Sequence, residues 1–175
     1  SDEQQKAFDH YQLGENVLIT GPGGSGKSEL IRSIIRDATE RGKTAQVCAL
    51  TGTAAVLLEC NAKTIHSWGG IGLANGDIMA VANRVNRSKY KKKNWKAVDL
   101  LIVDEVSMMS CKLFELLEVT ARLVRKNTNP FGGIQVIFTG DFYQLPPVGS
   151  EDEPDTCKFC FESPLWKSIF NQEIQ

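Results

Sequence analysis

The fold of this chain is decided by the stretch Val-Leu-Ile-Thr-Gly-Pro-Gly-Gly-Ser-Gly-Lys-Ser, residues 17–28. Its first four residues predict a buried strand, and the last eight fit the phosphate-binding pattern G-x-x-x-x-G-K-[ST]. In that pattern a strand leads through a glycine-rich loop into a helix. Here the helix is predicted over 27–41, where apolar residues recur at helical spacing and Gly42 gives a stop signal. The stretch therefore predicts a P-loop domain, and the alternative is a glycine-rich turn that merely precedes a helix.

The chemistry of the predicted loop suits a triphosphate with its metal ion. Glycines allow the positive φ angles that curl the backbone around an anion, and the following helix adds the positive end of its dipole. Lys27 is placed to reach the β- and γ-phosphates, and the Ser28 hydroxyl to ligate Mg²⁺. The predicted phosphate-binding residues are Gly21, Gly23, Gly24, Ser25, Gly26, Lys27 and Ser28.

The bulk composition bounds the rest of the chain. Its 175 residues suit one domain, or one domain with a small insertion, and 42% hydrophobic residues allow a real core. A net charge of −1 argues against a generic polyanion binder. The five cysteines are an odd, scattered set, and neither a secretory signal nor a run of about 18 apolar residues is visible. We therefore expect an intracellular protein with no membrane partner, in the nucleus or mitochondrion if the source is eukaryotic.

Strand and helix patterns alternate along the chain. Further strands are predicted over 45–50, 100–103 and 134–139, and further helices over 3–12, 53–59, 110–126 and near 165–170. This alternation predicts an α/β fold with a mainly parallel sheet, helices on both faces, and ligands at the carboxyl ends of the strands. Residues 77–96 are polar, basic and poorly patterned.

Two groups of polar residues follow predicted strands and complete the candidate site. Asp104 comes directly after the strand at 100–103, where a magnesium-binding carboxylate belongs, and Glu105 is placed to orient and deprotonate an attacking water. The alternative is an acidic pair that only starts a turn. After the strand at 134–139, Gln144 is the natural sensor of the γ-phosphate. Asp141 is either a supporting ligand or a turn former.

Six segments, in this order, resemble the Pif-one-type branch of the superfamily 1B DNA helicases. They are GPGGSGKS (21–28), TGTAA (51–55), TIHSWGGIG (64–72), VDEVSM (103–108), PFGGIQ (130–135) and GDFYQLPPV (140–148). Near the N-terminus, Glu3-Gln4-Gln5 resembles the adenine-reading motif of that family, with Gln4 as the reader and Gln5 as the alternative. The resemblance covers nearly the whole chain and is weakest over 73–97.

The resemblance implies a RecA-like first motor domain over residues 1–175. It implies ATP-dependent 5′-to-3′ movement along single-stranded DNA, with Mg²⁺ as cofactor and forked duplex DNA as the substrate for unwinding. Thr53, Thr64 and His66 would face the DNA strand, and residues 73–97 would carry a small wedge that splits the duplex. Such a motor also needs a second RecA-like domain with arginine fingers. We therefore expect a fragment of a longer protein, which by itself would hydrolyse ATP slowly.

The remaining signals leave alternatives open. Seven basic residues and no acid lie in 84–96, interleaved with Tyr90 and Trp95. Basic charge with aromatic residues suits a single-stranded nucleic-acid surface, but a solvated segment with a packed aromatic has the same pattern. His66 and Trp68 are open between DNA contact and core packing. Cys157 and Cys160 have zinc-ligand spacing without the other ligands of a site, which favours ordinary thiols.

Two other functions compete with the helicase interpretation. The chain could be a P-loop ATPase of another class, acting as a nucleotide-dependent switch or a small-molecule kinase. It could also be a nucleic-acid-binding module without turnover. A kinase would need an arginine-rich lid and an acceptor pocket after the third predicted strand, where the sequence instead has Asp-Glu and a leucine-rich helix.

Overall fold

The computed structural model describes residues 2–21, 25–58, 60–142, 146–170 and 172–174. Within that part, six strands form one sheet in the order β3-β2-β4-β5-β1-β6, and each neighbouring pair is parallel. The strands are β1 (Val17–Thr20), β2 (Ala45–Ala49), β3 (Lys63–Thr64), β4 (Leu100–Val103), β5 (Gln135–Gly140) and β6 (Gln172–Ile174). The predicted parallel sheet is confirmed, with β3 and β6 added at its two edges.

Helices connect the strands and cover the sheet. They are α1 (Asp2–Gln12), α2 (Ser25–Glu40), α3 (Gly52–Leu58), α4 (Ile65–Gly69), α5 (Ile78–Arg87), α6 (Lys89–Ala97), α7 (Cys111–Arg125) and α8 (Trp166–Ile169). The described residues also include 3₁₀ turns at Val106–Met108, Pro130–Gly133, Pro154–Thr156 and Cys160–Glu162. Ser110 caps α7 by accepting a hydrogen bond from the backbone of Leu113 at 3.0 Å, as its sequence position predicts.

The central strand β4 is buried on both faces and divides the core into two layers. Leu100 and Ile102 belong to the layer formed with α1, α2 and α3, whereas Leu101 and Val103 belong to the layer formed with α4 to α8. This alternation follows from the two-residue period of a strand. Because both faces need apolar cover, helices pack on both sides of the sheet, as predicted.

The strand register brings three strand ends together. Residue Val103 of β4 lies opposite Phe138 of β5, and Thr20 at the end of β1 lies opposite Gly140 at the end of β5. The segments that follow β1, β4 and β5 therefore leave the sheet on the same side, at the carboxyl ends of these strands. These segments carry the predicted phosphate loop, the acidic pair and the motif that begins at Gly140.

The structure corrects the expectation for residues 77–96, which form the two helices α5 and α6. Asp77 caps α5 and Ser88 caps α6, and each side chain accepts a hydrogen bond from a backbone N–H three residues ahead. Val81 and Val85 are fully buried on one face of α5. Only a few apolar residues anchor each of these short helices in the core. The helical spacing of those residues is therefore difficult to recognise among the many basic residues.

Trp95 anchors α6 in the core, which settles the choice that the sequence left open for it. Its side chain is fully buried, and its ring centroid lies 4.8 Å from that of Trp68. The indole N–H donates to the carbonyl oxygen of Gly69 at 2.9 Å. Both Trp68 and Trp95 are therefore packing residues.

A single arginine fixes the end of α6 to α7. The Arg125 guanidinium donates to the carbonyl oxygens of Trp95 at 2.8 Å and Val98 at 3.0 Å. It also donates to the carbonyl oxygen of Gly132 at 2.8 Å, in the turn before β5. These bonds satisfy carbonyl groups that the end of a helix leaves without intrahelical partners.

The five cysteines are free thiols. Cys160 is buried and its thiol donates to the carbonyl oxygen of Val106 at 3.5 Å, while Cys157 is exposed. The two side chains thus lie in different environments. Among the described residues, no helix combines the length and the apolar character that a membrane crossing requires.

Candidate nucleotide site and nucleic-acid face

Asp104 contacts three elements at the carboxyl ends of the strands. Its backbone N–H donates to the carbonyl oxygen of Cys48 on β2 at 2.9 Å. Its Oδ1 accepts a hydrogen bond from the Thr139 hydroxyl on β5 and lies 3.6 Å from the Nζ of Lys27. The side chains of Lys27 and Asp104 are only 21% and 14% exposed. The first turn of α2 and the end of β4, predicted to form one site, are therefore adjacent.

The start of α2 is also in contact with α1. A Cβ atom added at Gly26 would overlap the amide nitrogen of the Gln4 side chain, so this side chain lies directly against the glycine. The neighbouring Gln5 is exposed and donates to Asp9 on its own helix at 2.8 Å. Of the two glutamines, Gln4 is thus the one that borders the predicted phosphate loop.

The structure describes only some of the other residues predicted for the nucleotide site. Gly21 has a φ of 149°, in the range that favours glycine, and Ser28 is half-buried in the first turn of α2. Gly23, Gly24 and Gln144 lie outside the described residues, as does the side chain of Ser25.

Glu105 has an unusual backbone and a specific partner. Its φ and ψ of 62° and 33° are in the left-handed region, which residues other than glycine seldom adopt. Its Oε1 accepts from the backbone N–H of Thr51 at 3.3 Å and from the Thr51 hydroxyl at 3.2 Å. Sequence reasoning did not select Thr51, which lies in the TGTAA segment two residues after the end of β2, because its contact with Glu105 has no local signal.

Gly140 lets two segments of the site pass close to each other. A Cβ atom there would lie 3.0 Å from the Cγ2 of Val106 and 3.2 Å from the backbone nitrogen of Ser107. A larger residue would therefore push the end of β5 away from the turn that follows Glu105. The half-buried Asp141 comes directly after this contact.

The three residues predicted to face DNA lie on α3 and around the start of α4. Thr53 is exposed on α3. Thr64 caps α4, and its hydroxyl oxygen accepts from the backbone of Ser67 at 3.2 Å. His66 is half-buried on α4, and burial lowers its pKa from the ordinary value of 6.5. The lowered pKa favours the neutral form of His66 at pH 7.

A cleft of about 380 Å³ opens beside His66. Its rim includes two of the most exposed apolar side chains of the described residues, Leu73 at 85% and Val148 at 96%. Met108 and Lys112 line its floor and side. Large exposed apolar groups around a concave surface are typical of a binding site.

The basic residues of 84–96 form one charged surface on α5 and α6. Six of the seven are exposed, as is Tyr90 at 88%, and the exposed basic residues are Arg84, Arg87, Lys89, Lys91, Lys93 and Lys96. A second cavity of about 290 Å³ lies between this surface and residues 70–75, with Arg84 and Lys91 in its lining. It borders the cleft beside His66, because Leu73 lines both.

These features define the class of the chain as a RecA-like P-loop domain. A parallel sheet is covered by helices on both faces, and the lysine of the phosphate loop meets an aspartate at the end of β4.

The particular family follows from comparison with known proteins. The model of the PIF1-like helicase family matches residues 1–175, and the chain belongs to that family. Over 161 residues the chain is 43% identical to the ATP-dependent DNA helicase RRM3 of Saccharomyces cerevisiae. That match covers 91% of this chain and 22% of the relative, so the chain spans about a fifth of its length.

Solved structures of relatives have the same fold. The crystal structure of Pif1 helicase from Candida albicans matches with a TM-score of 0.88 and 37% identity, covering 99% of this chain and 39% of that one. The structure of Pif1 helicase from Bacteroides in complex with ADP-AlF3 and single-stranded DNA matches with a TM-score of 0.80 and 31% identity. It covers 100% of this chain and 42% of that chain.

Proposed function

We propose that the chain is the first motor domain of an ATP-dependent DNA helicase, which binds Mg-ATP and single-stranded DNA and moves 5′ to 3′. The observation that carries the nucleotide half of this proposal is the contact of Lys27 with Asp104, 3.6 Å apart at the strand ends. A mostly buried lysine and aspartate, with Thr139 beside them, form a site for phosphate and metal together.

In the nucleotide site, Lys27 binds the β- and γ-phosphates and the backbone of 21–28 surrounds them. Gln4 reads the adenine, since its amide lies against Gly26 at the start of α2. The available ligand atoms fit Mg²⁺, because the Asp104 carboxylate and the Ser28 hydroxyl are hard oxygen donors. When bound, Mg²⁺ would neutralise phosphate charge there.

For hydrolysis, Glu105 acts as the general base that orients and deprotonates water. Gln144 senses the γ-phosphate. The proposed partner in the full-length protein is a second RecA-like domain, which closes the cleft and supplies arginine fingers.

For nucleic acid, Thr53, Thr64 and His66 contact the single strand, and the cleft beside His66 lies next to them. Because the neutral form of His66 is favoured at pH 7, it contributes a hydrogen bond or a stacking surface instead of charge. The positive charge comes from α5 and α6, and residues 73–97 act as the wedge at a fork. The relatives support this assignment: RRM3 is named an ATP-dependent DNA helicase, and the Bacteroides structure contains single-stranded DNA. A DNA substrate also implies a site of action inside the cell.

The test is the ATPase rate of the full-length protein, measured with and without single-stranded DNA. We expect strong stimulation by DNA, and unwinding only of a fork with a 5′ single-stranded tail. A rate that DNA leaves unchanged would contradict the helicase assignment and favour a nucleotide-dependent switch. Transfer of phosphate to a small acceptor would favour a kinase.

A further inference from the structure

We infer that Thr51 is a positioning residue that holds Glu105 back from the nucleotide until DNA binds at α3. This inference rests on the proposed function, because it assumes that Glu105 is the base and that Thr53 faces DNA. It adds a physical connection between the two sites.

The first observation is the double hydrogen bond between the two residues. Both the backbone N–H and the hydroxyl of Thr51 donate to the same oxygen of Glu105, at 3.3 Å and 3.2 Å. Both distances are slightly longer than the usual ranges for N–H···O and O–H···O hydrogen bonds. The two bonds therefore hold the Glu105 carboxylate in a defined position but are weak enough to break when the site rearranges.

The second observation is that Thr51 also starts α3. Its hydroxyl oxygen accepts from the backbone N–H of Ala54 at 3.2 Å, and its carbonyl oxygen accepts from that of Ala55 at 3.1 Å. The exposed Thr53 lies between these positions, on the same first turn. A displacement of this turn moves the hydroxyl group that holds Glu105.

The topology gives the direction of the restraint. Thr51 follows β2, which lies beside β4 on the side away from β5 and β1. The phosphate loop follows β1, on the opposite side of β4. The bonds to Thr51 thus draw the Glu105 carboxylate away from the side where Lys27 meets Asp104. Releasing them allows the base to turn towards the γ-phosphate.

The restraint predicts a specific kinetic pattern in the full-length protein. Thr51→Val removes the hydroxyl donor and keeps the side-chain shape. We expect its DNA-free kcat to rise about three- to tenfold, the size expected for the loss of one hydrogen bond of ordinary net strength, because the bond to Glu105 is long. The kcat at saturating DNA should stay within about twofold of wild type, so the stimulation factor falls by the same amount.

Two further variants separate positioning from a general loosening of α3. Thr51→Ser keeps the hydroxyl and should restore the wild-type stimulation factor. Val56→Gly weakens the same helix at an exposed position beyond the turn that contains Thr51 and Ala54. It should lower thermal stability while leaving the DNA-free rate within about twofold of wild type.

Several results would overturn the inference. They are a DNA-free rate of Thr51→Val that equals wild type, a serine variant that behaves like the valine variant, or an equal fall of both rates. Each of these is measurable even if DNA does not stimulate the wild type. An absence of DNA stimulation in the wild-type protein would contradict the proposed function, independently of these three results.

Discussion

The strand-end site and the basic surface of α5 and α6 are built in opposite ways. In the strand-end site, Lys27 and Asp104 are largely covered. Lys27 lies in the first turn of α2, and Asp104 directly follows β4. On α5 and α6, the charged groups are mostly exposed and only a few apolar residues, Trp95 above all, fix them in place. The strand-end site thus depends on individual polar contacts. The basic surface of α5 and α6 depends on a buried anchor, and its exposed charges are interchangeable.

The largest expected effect comes from the strand-end site. In the full-length protein, Glu105→Gln should lower the ATPase kcat by about 10²–10⁴-fold, the usual contribution of a general base, since an amide cannot take up the proton. Binding of Mg-nucleotide should be retained, which calorimetry would check. A turnover rate close to wild type would show that another group is the base.

Replacing Trp95, the buried anchor of the basic surface, should have the next largest effect, on the stability of the domain. Trp95→Ala should reduce the free energy of unfolding by about 3–5 kcal/mol, because it leaves a cavity and removes the partner of the Gly69 carbonyl. Tyr90→Ala, on the exposed side of the same helix, should change it by less than about 0.5 kcal/mol. Urea denaturation of the two variants measures the contrast, and equal effects would contradict it.

Loss of Lys27, the lysine proposed to bind phosphate, should abolish nucleotide binding at working concentrations. Lys27→Ala removes a cation that is mostly desolvated and leaves Asp104 without it, which corresponds to about 2–5 kcal/mol or at least ~30-fold in Kd. Lys43→Ala, at an exposed lysine, is the matched control and should bind as wild type does. Unchanged affinity of the Lys27 variant in calorimetry would remove the nucleotide assignment.

Charges on the basic surface should act additively and depend on salt. Replacing both Lys89 and Lys93 by glutamine should weaken binding of single-stranded DNA for every sequence tested. It should also reduce the salt slope by about one for each of the two lysines that binds a phosphate. The double variant Lys43→Gln, Lys167→Gln removes the same charge from exposed positions elsewhere. If both pairs behave alike, the surface has no particular role in binding.

The smallest effect concerns His66 and pH. Burial lowers its folded-state pKa below the unfolded value of about 6.5, so the unfolded chain binds the proton more tightly. Its contribution to stability is therefore fully present above pH 6.5 and is lost as the pH falls from there through the folded-state pKa. His66→Gln should remove this part of the pH dependence, which urea midpoints at pH 7.5 and 5.5 would measure. An unchanged difference between the two midpoints would contradict it.

The same comparison explains how much the sequence could predict. The strands β1 and β4 agree with the prediction residue for residue. Each is a short, mainly apolar run followed directly by a functional motif, and this pattern predicts a buried strand. The proximity of the phosphate loop and the acidic pair followed from the rule that ligands bind at the carboxyl ends of parallel strands. The contact of Lys27 with Asp104 itself was not predicted.

Other features depend on contacts between distant segments and had no local signal. The strand β3 has two residues, and its extension of the sheet depends on pairing with β2. The indole of Trp95 finds the Gly69 carbonyl 26 positions earlier in the chain. The hydrogen bonds from Thr51 to Glu105 cross from one strand end to the next, and only the assembled sheet brings these residues together.

The bonds of Arg125 have a mechanical consequence. One guanidinium joins the end of the basic helix α6 to α7 and to the turn before β5. A force applied to α6 would therefore pass through Arg125 to α7 and to the turn that leads into β5. The segment 89–97 is held to the body of the domain and does not rely on its own helix ends alone.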